Sequence, residues 1–167
     1  LFDAGERALM AQQNENAKNL FLQGLTLQPN NDEAKVGLAD AYVRLGLSAD
    51  ARPILEAQYE GQPKNRKILE LLGRTYQENK ETAAQGLKLF QGLYEQDNRD
   101  ELVLSQLAGL YRVDGQYEES VSMCKRILER NPESISALKT LSFTYFESGK
   151  YSLAETIAVN VLEKGDK

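Results

Sequence analysis

Apolar positions recur at helical spacing along almost the whole chain. Leu104, Leu107 and Tyr111 lie three and four residues apart, as do Leu138, Leu141 and Tyr145, so each set falls on one face of a helix. Val121, Cys124 and Leu128 repeat that spacing further along. Polar residues fill the positions between, and the runs are punctuated by glycine and proline. Gly46, Gly115 and Gly149 stand where a first helix has to stop, and glycine takes the left-handed conformation there without steric cost. Pro29, Pro63 and Pro132 stand where a second helix ends, because proline keeps the residue before it out of helical geometry. The pattern therefore predicts pairs of helices, tightly turned within a pair. Pro53 reads differently: it lies near the start of a second helix, with Ser48 as the expected cap, where a missing N–H costs least.

The pairs are copies of one another. LAGLYRVDGQYEES, beginning at Leu107, returns 34 positions later at Leu141 as LSFTYFESGKYSLA, with leucine, small residue, tyrosine and glycine in the same places. Earlier copies begin at Leu72-Gly73 with Tyr76 and Gly86, and at Leu38-Ala39 with Tyr42, Gly46 and Ala51; a worn one begins at Ala4-Gly5 with Ala8 and Ala17. Small residues at Gly73, Ala108 and Ser142 on first helices, and at Ala51, Ser120 and Ala154 on second helices, let the two backbones approach where larger side chains would overpack. The tyrosines 42, 76, 111 and 145 keep a fixed place in each unit and so belong to the core. The units run 1–31 (partial), 32–65, 66–100, 101–134 and 135–167, a single array filling the chain.

A period of 34 residues carrying this large, small, tyrosine, alanine and proline pattern resembles the tetratricopeptide repeat family. The resemblance implies an all-α fold, a right-handed α-solenoid of about five antiparallel helix pairs, acting as a scaffold that binds a protein or peptide. It further implies that first helices line a concave groove and second helices form the convex back. The groove would then receive Val36, Asp40, Val43 and Arg44, then Glu70, Leu71, Arg74 and Gln77, then Leu102, Gln106, Arg112 and Val113, and last Lys139, Phe143, Phe146 and Glu147. Within it Phe143 and Phe146, three residues apart on one helix, are expected to form the principal site with Leu102 and Val113, flanked by Lys139 and Arg112. Members that grip the carboxylate of chaperone tails carry a lysine, asparagine and arginine frame. No start of that frame fits: beginning at the second unit it gives Val36 and Asp40, then Leu71, then Leu102 and Gln106.

Two departures from the pattern carry expectations of their own. The third unit has an extra residue, and its turn reads ENKETAAQG, so the connection is expected to be longer or differently capped, with an irregularity near Lys80. The last second helix carries Leu153, Ile157, Val161 and Leu162 with no helix after it. That face is expected to meet another copy of the molecule or to stand as an exposed apolar strip, as in an excised segment of a larger repeat protein or one that self-associates through its terminal helices.

Composition narrows the chemistry. With 167 residues, 41% of them apolar, the chain has material for a core. No apolar run approaches the roughly 20 residues of a bilayer span, so membrane insertion is not expected. The opening LFDAGERALM lacks the layout of a signal peptide. The sequence leaves the compartment open, with cytoplasm the default and periplasm or an organelle admissible. A net charge of −5 argues against nucleic acid as the main partner. The chain contains no histidine, which removes Ser-His-Asp and Cys-His arrangements and most zinc designs. Cys124 takes a place held elsewhere by Phe21, Leu55, Phe90 and Ala158 and reads as a buried packing thiol. SGK at 148–150 lacks the upstream glycine of a phosphate loop, and the basic cluster Lys64, Arg66 and Lys67 reads as a solvated turn. The expectation is thus a binding protein, not an enzyme, with no cofactor or metal. The alternatives are a structural self-assembly module and a regulatory domain of a larger enzyme.

Overall fold

A computed structural model describes residues 1–165, and among them there are ten α-helices and no strand. They gather into two compact units, Leu1–Tyr76 and Gln77–Lys167. The first holds α1 (Phe2–Met10), α2 (Asn14–Leu27), α3 (Asp32–Arg44), α4 (Ser48–Gly61) and α5 (Arg66–Tyr76). The second holds α6 (Lys80–Gln96), α7 (Glu101–Asp114), α8 (Tyr117–Arg130), α9 (Ile135–Glu147) and α10 (Tyr151–Gly165).

The turns within pairs follow the sequence. Gly46, Gly115 and Gly149 have φ of 75°, 88° and 78°, and α2, α4 and α8 each stop two residues before a proline. The first pair has no glycine at this place, and Gln12 takes the left-handed conformation there with φ 58°. First helices share a start that the apolar pattern does not reveal. Asn31, Asn65, Asp100 and Ser134 each accept a hydrogen bond from a backbone N–H two or three residues on, at Ala34, Ile68, Leu102 and Ala137. These oxygens satisfy donors that the first helical turn leaves unpaired.

One local expectation is corrected and another is met in only one of its two forms. Ser48 does not cap α4: it is the first helical residue, Leu47 precedes it with no side-chain cap, and Pro53 sits inside the helix in its second turn. The backbone there gives up one internal bond, since proline has no N–H to offer the Ala49 carbonyl. The connection in the third unit is not longer. Residues 77–79 link α5 to α6, and the extra residue is taken up by α6, which at 17 residues is the longest of the described helices. The different capping is real. Asn79 Oδ1 accepts from the Thr82 N–H at 3.0 Å while Thr82 Oγ1 accepts from the Asn79 N–H at 3.2 Å, a reciprocal box.

The core of the first unit gathers Ala8, Leu9, Ala17, Phe21, Ala34, Leu38 and Ala41. Phe21 is buried with its ring edge against α1 and α3, where a methyl group built on Gly5 or Gly37 would come within 2.9 or 2.5 Å of it. In the second unit Ala108, Cys124 and Leu141 form one cluster, and Leu104, Ile127 and Ala137 another. A hydroxyl relay runs beside the first of these. Ser120 donates to the Ala108 carbonyl at 2.8 Å, its oxygen lies 2.9 Å from Thr144 Oγ1, and Thr144 reaches the Thr140 carbonyl at 2.7 Å. Each buried hydroxyl therefore has a partner, as burial requires. Of the repeat tyrosines only Tyr76 is fully buried, with its hydroxyl on Glu56 at 2.8 Å; Tyr42, Tyr111 and Tyr145 are half-buried.

Candidate functional site

In the first unit the first helices of three successive pairs, α1, α3 and α5, border one recess of about 570 Å³. Its floor is Asp40, only 4% exposed, which binds Arg44 Nε at 2.8 Å through one oxygen and Lys67 Nζ at 2.7 Å through the other. Burial pushes the Asp40 carboxyl up, but the hydrogen bonds and charges of Arg44 and Lys67 outweigh it and hold the pKa below the ordinary value. Arg44 also reaches the Leu9 carbonyl at 3.4 Å, which ties α3 to α1. Lys67 is therefore not a merely solvated turn residue. It is one of two exposed cations that pair the buried Asp40, because a desolvated carboxylate persists only when paired. The walls carry Leu9, Met10 and Val36, with Met10 80% exposed, and the rim carries Glu6 and Glu33. Acidic rim and apolar wall together suit a cationic side chain flanked by aliphatic ones.

In the second unit Phe143 and Phe146 are each 60% exposed on α9. They line a recess of about 450 Å³ with Ser142 of α9 and with Tyr151, Ala154, Glu155 and Ala158 of α10. Phe146 meets the Tyr151 ring edge-on, with centroids 5.5 Å apart and an interplanar angle of 66°. Of the apolar face expected on α10, Leu153 and Leu162 are exposed, whereas Ile157 and Val161 are half-buried, Ile157 against the Leu141 cluster.

The remaining predicted groove residues fall in different settings. Arg74 is exposed in the last turn of α5, and Lys139 is exposed on α9. Leu102 and Val113 are half-buried on α7. Arg112 is already engaged, its Nη1 2.6 Å from Glu147 Oε1. Gln106 is 8% exposed and accepts at 2.9 Å from the Gln77 amide, so it is not a surface group, and Leu71 is wholly buried. The structure thus joins the two phenylalanines to α10, in a recess made by α9 and α10 alone, and not to Leu102 and Val113. The reason is geometric: Phe143 and Phe146 follow Ser142, the small residue against which the second helix of their own pair packs. The helical period shows which residues share a face, but not which neighbouring element that face meets.

No reactive group stands out. Cys124 is fully buried, and burial pushes its thiol up to about 12, against a small opposing effect of the Arg112 charge. Among the described residues no group of three or more Asp, Glu or Cys side chains is placed to hold a metal, and no helix is long and apolar enough to cross a membrane.

The family model described as tetratricopeptide repeat matches residues 8–74. The chain is 30% identical over 128 residues to tetratricopeptide repeat protein 8 of Caenorhabditis elegans, an alignment covering 77% of this chain and 25% of that protein. It therefore spans about a quarter of the length of that relative. Among solved structures it superposes on a thermophilic TPR protein of Thermus thermophilus with a TM-score of 0.80 at 19% identity, covering 99% of this chain and 90% of that one. MamA of Desulfovibrio magneticus RS-1, from residue 41 to its end, gives 0.72 at 17% identity over 96% and 90%. At such identities the likeness is one of fold, the all-α helical solenoid.

Proposed function

Since this is a chain of tetratricopeptide repeats, we propose that it is a protein-interaction scaffold that holds a segment of another protein or a peptide against its first helices. The observation that carries this reading is the recess bordered by α1, α3 and α5, where consecutive first helices share one surface. Its ligand presents lysine or arginine to Glu6 and Glu33 and an aliphatic side chain to Met10 and Val36. Asp40 offsets one of the two positive charges of Arg44 and Lys67, and the three act as a fixed floor. Arg74 on α5 extends that surface. In the second unit Leu102, Val113 and Lys139 offer a separate contact from first helices α7 and α9, with Gln106 and Arg112 supporting it from beneath through Gln77 and Glu147. A scaffold needs no catalytic group, and the histidine-free sequence supports that reading.

The test is selection of a displayed peptide library on the purified chain, followed by titration of the winners against Glu6→Lys/Glu33→Lys. Both residues are exposed, so the fold should survive the exchange. The expected outcome is enrichment of basic sequences and a loss of affinity of about tenfold or more in the variant. The exposed Lys125→Glu on α8 should change nothing. Basic peptides that bind the variant as well as the parent would overturn the assignment of the recess.

A further inference from the structure

The chain has one cysteine and two methionines, and a single one of these sulfur-bearing side chains is exposed. Cys124 is fully buried, and Met123 is half-buried against both the Leu104 and the Leu141 clusters. Met10, the last residue of α1, is 80% exposed, more than any other large apolar side chain among the described residues, and it stands in the wall of the first unit's recess. The repeat accounts for one methionine and not for the other. Positions equivalent to Met123 hold Leu20, Ile54, Leu89 and Ile157, so that place is apolar in every unit and belongs to packing within the array. Positions equivalent to Met10 hold Arg44, Glu78, Val113 and Glu147, so packing within the array does not call for a thioether there.

We propose that Met10 is an oxidation site that sets how tightly the recess holds its partner. The proposal rests on the reading above, in which an aliphatic side chain of the ligand lies on Met10 and Val36. A hydroperoxide supplies the chemistry. With hydrogen peroxide the thioether sulfur attacks one peroxide oxygen, the O–O bond breaks as the S–O bond forms, and the other oxygen leaves as water, so sulfur is oxidised by two electrons and the peroxide is reduced by two. The new sulfoxide oxygen is a polar acceptor. Covering it with an aliphatic group strips its water and supplies no donor, which turns an apolar contact into a costly one. A dithiol-dependent sulfoxide reductase reverses the step, the dithiol becoming a disulfide while the oxygen leaves as water. Burial decides which sulfur reacts: the oxidant meets Met10 from solvent, reaches Met123 only through packed helices, and finds little thiolate at Cys124, whose thiol burial pushes up to about 12.

The test treats the full chain with hydrogen peroxide, maps the sulfoxides by mass spectrometry, and titrates a labelled acetyl-Lys-Leu-Lys-Val-Lys amide by fluorescence anisotropy before and after. Sulfoxide is expected at Met10 at least about tenfold faster than at Met123, with circular dichroism unchanged. Affinity for the peptide should fall at least about fivefold once Met10 is oxidised, and sulfoxide reductase with dithiothreitol should restore it. Met10→Leu is compared only with itself, and peroxide should leave its affinity where it was. A general effect of the oxidant on the fold would not spare that variant. Equal oxidation of the two methionines, an oxidised chain that binds as the untreated one does, or a Met10→Leu chain that loses affinity in peroxide overturns the proposal and leaves the reading of the recess standing. Absence of binding by the untreated chain overturns that reading and the proposal with it.

Discussion

Phe21 leaves no room for a methyl group on either of the glycines that hold it. Gly37→Ala would bring a carbon to 2.5 Å from a ring that is 1% exposed and cannot swing away. Overpacking of this kind costs roughly 1–3 kcal/mol, which urea denaturation of the purified variant would read, and Phe21→Leu added to it should recover part of the loss. Equal stability of variant and parent would mean that the ring has space the geometry denies. The buried carboxylate of Asp40, paired with Arg44 and Lys67, gives a second test at this scale. Asp40 is held below its ordinary pKa when folded, so its stabilising effect is present above that value and is lost as pH falls below about 4. Asp40→Asn should therefore lower stability at neutral pH and flatten the decline in acid, measured as denaturation midpoints across that range. Cys124 was legible as a packing thiol because its sister positions are apolar. Asp40 was not legible as a buried residue, since its sister positions hold Arg74, Gly109 and Phe143, and the two cations that let a carboxylate stay there, Arg44 and Lys67, come together only in the fold.

At the level of helices, the sequence predicts where they end better than where they begin. Endings depend on glycine and proline, whose backbone restrictions are local and act in any context. Beginnings depend on one oxygen accepting one N–H, and Asn31, Asn65, Asp100 and Ser134 share that role without sharing an identity. Their signal was present, a short polar residue two positions after Pro29, Pro63, Asn98 and Pro132, but it has to be read as chemistry and not as a letter. Pro53 shows the same limit from the other side. It falls in the second turn of α4, beyond the positions where a missing N–H is harmless. Pro53→Ala should restore the bond to Ala49 and stabilise the chain by about 1–3 kcal/mol, the cost of an interior proline less the stiffness it gives the unfolded state. A lower melting temperature in that variant would count against this account of α4.

Across the whole molecule, the described contacts join helices that are neighbours or next neighbours in sequence, and α10 has α9 as its one partner helix among them. Stability in such an array is the sum of local contributions, so protection should be uneven. Hydrogen exchange is expected to release α10 at least about tenfold faster than α7, which packs against α6, α8 and α9. Uniform protection of the two would refute this. The all-α repeat architecture was legible because each unit writes the same face. The grouping of Phe143 and Phe146 with Tyr151 was not, because a periodic pattern assigns residues to faces and leaves the partner of a terminal face unwritten.

The seat of Phe21 also bears on how such an array can change. Gly5 and Gly37, the residues pressed against that ring, correspond in the next unit to Ala39 and Leu71, with Leu55 at the place of the ring, and two units further on to Ala108 and Thr140, with Cys124 at that place. Bulk given up on one side of a joint is taken up on the other. Each joint is thus fitted separately, and the units are not interchangeable parts. A unit duplicated or moved in one step would carry its half of one joint to a neighbour shaped for another. The order of the repeats is accordingly inherited as a set, and lengthening the array succeeds only where both sides of a joint travel together.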